Sequence, residues 1–148
     1  MTDVTQRSYW ISTLAQSEYA QIVEHWKATE LEPSYQVIRQ PEIGLAQVRA
    51  RMGSTGNPFN MGDVTITRAA IKLDTGEMGY SYLCGRNKPH AELAAVIDGV
   101  LQSGVHQEAL MQQIIEPLAA LKFERDQQRA KEVATSKVDF FTLVRGED

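Results

Sequence analysis

Apolar residues in this chain recur on two different periods, and the points where the period changes constrain the fold more than any other feature. Tyr19, Ile22, Val23 and Trp26 fall at i, i+3, i+4 and i+7, the spacing of a helix with one buried stripe. From Ser34 the period drops to two. Ala46, Val48, Ala50 and Met52 alternate with Gln47, Arg49 and Arg51, which describes a half-buried strand with its arginines outward. Past Gly85 the helical period returns: Leu93, Val96, Ile97, Val100 and Leu101 form the best amphipathic stripe in the chain. Strands joined by turns as tight as Asp74-Thr75-Gly76 must run antiparallel. The expected fold is therefore α+β: two N-terminal helices, an approximately four-stranded antiparallel β-meander, then C-terminal helices and an apolar tail.

The boundaries follow from local chemistry. Ser8 is placed to cap a first helix carrying Tyr9, Trp10, Ile11 and Leu14, and Ser17 to precede a second with Glu18 in its first turn and Glu32-Pro33 as its stop. Four strands are read at Tyr35–Arg39, Leu45–Met52, Asp63–Leu73 and Glu77–Gly85. A Pro/Gly turn at 40–44 and a glycine-rich loop, Gly53–Gly62, separate the first three. Asn87 can cap the next helix with Pro89 in its first turn, and Gly104 ends it. Pro117 kinks or begins a further helix, and Lys122 to Glu132 reads as a solvated helix face with Lys122 and Asp126 at i, i+4. Residues 1–148 are expected to form one domain, with the apolar face of the sheet packed under the helix of Leu93, Val96, Ile97, Val100 and Leu101.

Composition narrows the function classes. With one cysteine, Cys84, the chain can build neither an internal disulfide nor a cysteine-ligated zinc or iron–sulfur site, and its three histidines make a self-contained metal site an unpromising reading. No apolar run approaches a membrane span, and the start lacks the pattern of a signal peptide, so a soluble cytoplasmic protein is expected. The formal net charge of −4 is unevenly distributed. Residues 39–88 carry seven cations, five of them arginines, against four carboxylates, whereas both flanking segments are acidic. An acidic chain is a poor non-specific nucleic-acid binder. Its basic middle suits a local anion, an acidic partner surface, or carboxylates of the chain itself.

Two constellations could carry chemistry. In the glycine loop, Gly53, Ser54, Thr55 and Gly56 have the ingredients of a phosphate cradle, with Arg51 before it and Arg68 on the following strand. The loop matches neither GxxxxGK[ST] nor GxGxxG and joins strands rather than opening a helix, so a glycine-shaped hairpin loop is the plainer alternative. In the second constellation a strand runs into a helix, where Arg86, Lys88 and His90 stand beside a helix N-terminus that favours anions. His90-Ala-Glu92 has the HxE of a zinc deaminase but lacks the PCxxC that the chemistry requires. His25 lies beside an apolar stripe and reads as a core-edge histidine. No Ser-His-Asp set or HExxH helix can be assembled.

These residues, in order, resemble the G subunit of bacterial carbon–phosphorus lyase: Arg51-Met-Gly-Ser-Thr-Gly, Phe59, Gly62-Asp63, Thr67-Arg68-Ala-Ala, Gly79-Tyr-Ser, Gly85-Arg86 and His90-Ala-Glu92, with a closing Ser136-Lys-Val-Asp-Phe-Phe-Thr-Leu-Val-Arg-Gly. The similarity runs from about Trp10 to Gly146. It implies a subunit of a complex, built with H, I and J subunits, that transfers a phosphonate to the ribose carbon of ATP and displaces adenine. The product is ribose 1-phosphonate 5-triphosphate, and the iron–sulfur J subunit, a radical S-adenosylmethionine enzyme, then breaks the carbon–phosphorus bond. It also implies that ATP with Mg and an alkylphosphonate are met through the complex, with no cofactor bound by this chain alone. A second copy of the chain in a symmetric assembly is a further expectation. The resemblance assigns no catalytic residue here, and the isolated chain is expected to be inactive. A purely structural scaffold subunit and a stand-alone small-anion or phosphate binding module are the alternative readings.

The tail carries its own expectation. Val138, Phe140, Phe141, Leu143 and Val144 follow a charged helix, and two adjacent phenylalanines in an extended strand point to opposite faces. One sheet face cannot bury both, so residues 137–148 are expected to dock by strand addition, preferentially on another chain.

Overall fold

The computed structural model describes residues 4–51 and 58–146, with side chains described at 4–47 and 62–136. The chain runs α1 (Val4–Gln16), α2 (Tyr19–Ala28), β1 (Tyr35–Arg51), β2 (Pro58–Leu73), β3 (Met78–Cys84), α3 (Lys88–Ser103), α4 (Gln107–Leu110), a π-turn (Met111–Ile115) and α5 (Glu116–Gly146). The three strands form one antiparallel sheet in the order β1-β2-β3. This is the expected α+β architecture, with helices first, a meander, then helices.

Helix α3 organises the core. Its start is set by Asn87, whose side chain accepts a hydrogen bond from the His90 amide at 3.0 Å, and by Pro89 in the first turn. It ends at Gly104, whose φ is 79°. Leu93 packs against the core, and Val96, Ile97, Val100 and Leu101 are buried in it, so the amphipathic stripe does bury itself on the sheet. The helix lies very close to β3 because small residues meet there: Ala91 and Ala95 face Ser81 and Gly79. Trp10 and Leu14 of α1, Ile22 of α2, and Leu110, Ile114, Ile115 and Leu118 complete the cluster, all almost fully buried.

Four sequence expectations are corrected. The first two strands are a single strand, β1, so the described sheet has three strands rather than four. Pro41, expected in a turn, instead falls where the β1–β2 register slips between Arg39 and Glu42. β1 is an edge strand, where a residue lacking an N–H can be absorbed as a bulge without ending the ladder. The glycine loop is shorter than read, because β2 already begins at Pro58. Gly62 lies within β2 with φ 140°, opposite Val48 at a further slip of the register, a backbone conformation open chiefly to glycine. Ser8 lies inside α1, and α2 is capped from Glu18 without a side-chain bond, because the Ser17 hydroxyl donates back to the Thr13 carbonyl. α2 also stops earlier, at Ala28, before Glu32-Pro33 is reached.

The tail is the fourth correction. Residues 138–146 continue α5 as helix and add no strand to the sheet. Nothing between Glu132 and Val138 breaks a helix, so one begun upstream propagates. Adjacent residues on a helix are about 100° apart, which removes the two-face conflict that the paired phenylalanines pose in a strand. The side chains of Val138, Phe140, Phe141, Leu143 and Val144 lie outside the described ones. The π-turn precedes Pro117, whose missing N–H and ring disturb the regular helical bonding there. Among the described residues no helix is long and apolar enough to cross a membrane.

β3 pairs with β2 only from Ile66↔Cys84 to Lys72↔Met78. Beyond that, β1 and β2 run on as a two-stranded ribbon through seven pairings, Leu45↔Thr65 to Arg51↔Pro58, roughly 20 Å at the usual rise per residue. Leu45 on this ribbon is 69% exposed.

Candidate functional site

The outer face of the sheet is the surface that helix α3 leaves uncovered. Side chains alternate across a strand, and Ile71, Leu73, Ser81 and Leu83 face α3 or the core. Arg68, Ala70 and Lys72 of β2 therefore point the other way, as do Met78, Tyr80 and Tyr82 of β3. From β1, Arg39 and Glu42 join them by register, opposite Ala70 and Arg68. A groove of about 680 Å³ crosses this face, with Ile38, Arg39, Arg68, Tyr80 and Tyr82 around Ala70.

Arg68 Nε donates to Glu42 Oε1 at 2.9 Å, and Arg39 donates to the same oxygen at 3.3 Å. All three side chains are about half exposed, so the cluster is a solvated one whose individual pairs are weak, on the order of 0–1 kcal/mol. Two guanidiniums thus share one carboxylate.

The residues of the second constellation are separated from this face. Arg86 and Lys88 are exposed at the turn leading into α3. The turn is pinned by Thr67, whose hydroxyl donates to the Gly85 carbonyl at 2.6 Å and accepts from the Asn87 amide at 3.2 Å. Thr67 is buried on the α3 side, while its neighbour Arg68 emerges on the opposite side. Arg51 lies at the end of β1 with its side chain outside the described ones, and Gly53, Ser54, Thr55 and Gly56 are outside the described residues.

His90 faces inward. Its Nε2 donates to the Leu14 carbonyl at 2.8 Å, and its ring stacks on Tyr19 with centroids 5.8 Å apart, joining α3 to the end of α1. Burial lowers its pKa, opposed by the bond to Leu14, which favours the charged form. Because the folded value is the lower one, the unfolded chain binds more protons as pH falls through the ordinary histidine value of 6.5. The stability tied to neutral His90 is complete above that value and is lost as pH drops toward the folded one. Urea midpoints are expected to fall between about pH 7.5 and about pH 5.5, and to fall less in His90→Gln. Equal falls in both would assign the acid sensitivity to other groups.

Sequence reading missed the most concentrated polar cluster in the chain. Asp98, fully buried in α3, accepts five hydrogen bonds: Arg7 Nε at 3.3 Å and Nη2 at 3.1 Å, Trp10 Nε1 at 2.8 Å, the Tyr80 amide at 2.9 Å and Gln102 Nε2 at 3.0 Å. Gln102 also donates to the Met78 carbonyl at 2.7 Å. The carboxylate thereby satisfies an amide on the free edge of β3, and Arg7 lies over the Tyr80 ring, 5.8 Å from its centroid. A lone Asp amid Val96, Ile97, Val100 and Leu101 was the available signal, since a buried carboxylate needs partners. The tyrosines of the outer face were equally legible from the alternation in 78–84.

Among the described residues no three His, Cys, Asp or Glu side chains converge to hold a metal ion. His25 Nε2 is buried without a hydrogen-bond partner, and Cys84 is exposed as a free thiol. The described groups supply cations, hydroxyls and aromatic surface, and no nucleophile with an adjacent base emerges from them.

Residues 5–146 match the family described as phosphonate metabolism protein PhnG. Over 145 residues, 98% of this chain and 92% of the relative, the chain is 40% identical to the alpha-D-ribose 1-methylphosphonate 5-triphosphate synthase subunit PhnG of Rhizobium meliloti (strain 1021). A match of that extent, covering every element from α1 to α5, makes the chain a member of the PhnG family of phosphonate metabolism proteins.

Proposed function

We propose that this chain is a non-catalytic or co-catalytic subunit of an alpha-D-ribose 1-methylphosphonate 5-triphosphate synthase. In that reaction a phosphonate oxygen bonds to the ribose C1 of ATP as the bond from C1 to adenine breaks, and adenine leaves with a proton. The substrates are ATP with Mg and an alkylphosphonate, held by the assembled complex, and the chain binds no cofactor by itself. Its partners are the H, I and J subunits, with a second copy of the chain in a symmetric cytoplasmic assembly. The observation that carries this reading is the 40% identity to a synthase subunit across nearly the whole chain.

Two features support a docking role within it. Among the described residues β1 and β2 extend beyond β3 as a two-stranded ribbon, and such a ribbon is only marginally stable in water by itself, so the extension gains from a second surface. The outer face of the sheet adds exposed aromatic area, with Tyr80 46% and Tyr82 53% accessible.

The purified chain is expected to release no adenine from ATP, with or without methylphosphonate, as followed by chromatography of the products. Added to the H, I and J subunits it should restore release that is absent when it is omitted. Steady release by the pure chain, abolished by one point substitution, would overturn the reading.

A further inference from the structure

The outer face of the sheet has a character that the chain as a whole lacks. Among the described residues its charged side chains are Arg39, Arg68 and Lys72 against Glu42, with Arg7, paired to Asp98, over the Tyr80 ring, a cationic excess in a chain of net charge −4. Lys72 is exposed and has no described carboxylate partner. Between these charges lies apolar and aromatic surface: Ile38 is 51% exposed, and both tyrosines are close to half exposed. Tyrosine and arginine are the residues enriched where protein interfaces concentrate their binding energy. The groove is open, and the guanidiniums of Arg39 and Arg68 share the Glu42 carboxylate at its edge. That arrangement presents a solvated cationic rim around an apolar floor.

We infer that this face, centred on Arg68, Tyr80 and Tyr82, docks a partner subunit of the synthase through an acidic segment with apolar side chains. Charge chooses among occupants. A second copy meeting this face by two-fold symmetry sets Arg39, Arg68 and Lys72 against themselves, an arrangement that like charges oppose. An acidic partner instead pairs with Lys72 and with the guanidinium charge that Glu42 leaves unneutralised, while its apolar side chains cover Ile38 and the tyrosines. The inference rests on the reading of this chain as a synthase subunit.

The test is binding of the full-length chain to the separately purified H, I and J subunits, measured by sedimentation velocity, for the natural sequence, Tyr80→Ser/Tyr82→Ser and Arg68→Glu. Val105→Ser serves as control, an exposed residue in the turn after α3. Circular dichroism and urea midpoints establish that the variants fold, as expected for exposed side chains. The natural chain should bind at least one subunit, with both face variants weakened about tenfold or more and the control unchanged. Binding of all variants within about twofold would overturn the docking face and leave the subunit reading standing. A natural chain that binds none of the three but self-associates through Tyr80 and Tyr82 would make a second copy the occupant and overturn the inference. One that binds nothing and stays monomeric would remove the subunit reading, and the inference with it.

Discussion

Replacing Asp98 with alanine is expected to destabilise the folded chain by about 3–5 kcal/mol, the range for removing one partner of a buried ion pair. The loss has several parts. Arg7, with one third of its side chain exposed, loses its carboxylate, and Trp10 Nε1 is left buried with no acceptor. The Tyr80 amide on the β3 edge loses its partner as well. Each uncompensated buried donor costs about 1–3 kcal/mol. Asp98→Asn retains one carbonyl oxygen and should fall between the two. Urea unfolding followed by tryptophan fluorescence measures the change, and an Asp98→Ala midpoint equal to that of the natural chain would show that the network contributes no net stability.

Gly79→Val is expected to do comparable damage for a steric reason. A Cβ at position 79 would overlap the Ala95 carbonyl oxygen and crowd the Gly99 amide, both backbone atoms of α3 that no rotamer change can move. The helix must lift from β3, which opens the contact of Ala91 with Ser81 and disturbs the Asp98 bonds one turn along. A loss above about 4 kcal/mol, or failure to fold, follows from the mechanisms that produce the largest single-site effects. Gly44→Ala is the matched comparison: its added Cβ meets nothing within 4 Å, and its midpoint should scarcely move. A well-folded Gly79→Val chain would show that the helix–strand approach can relax.

The parts of the fold that depend on neighbours in sequence were legible, and those that depend on distant residues were not. The start of α3 rests on Asn87 and Pro89 acting within one turn, and both act as their chemistry implies. The fusion of two expected strands into β1 turns on whether Pro41 ends a strand or sits in a bulge at a sheet edge. Only the strand order, which leaves β1 at an edge, decides that. The helical tail shows an extended-chain argument failing because the upstream helix had no reason to stop. Arg68 and His90, anion candidates from two separate constellations of the sequence, lie on opposite sides of the sheet. Alternation from buried Thr67 outward and a histidine pointing at a helix end separate them. The partners of Asp98 were out of reach, since its donors Arg7 and Trp10 are 91 and 88 residues away.

That separation has a consequence for how the protein is made. The ribosome releases α1 well before α3, and at about 5–20 residues per second the interval is roughly 5–20 s. Until Asp98 emerges, Trp10 and Leu14 have no core to enter, and the His90 that fastens the end of α1 has not yet been synthesised. Helix α1 is therefore made early and docks late, and during that wait it is an exposed apolar segment suited to a chaperone that captures nascent chains.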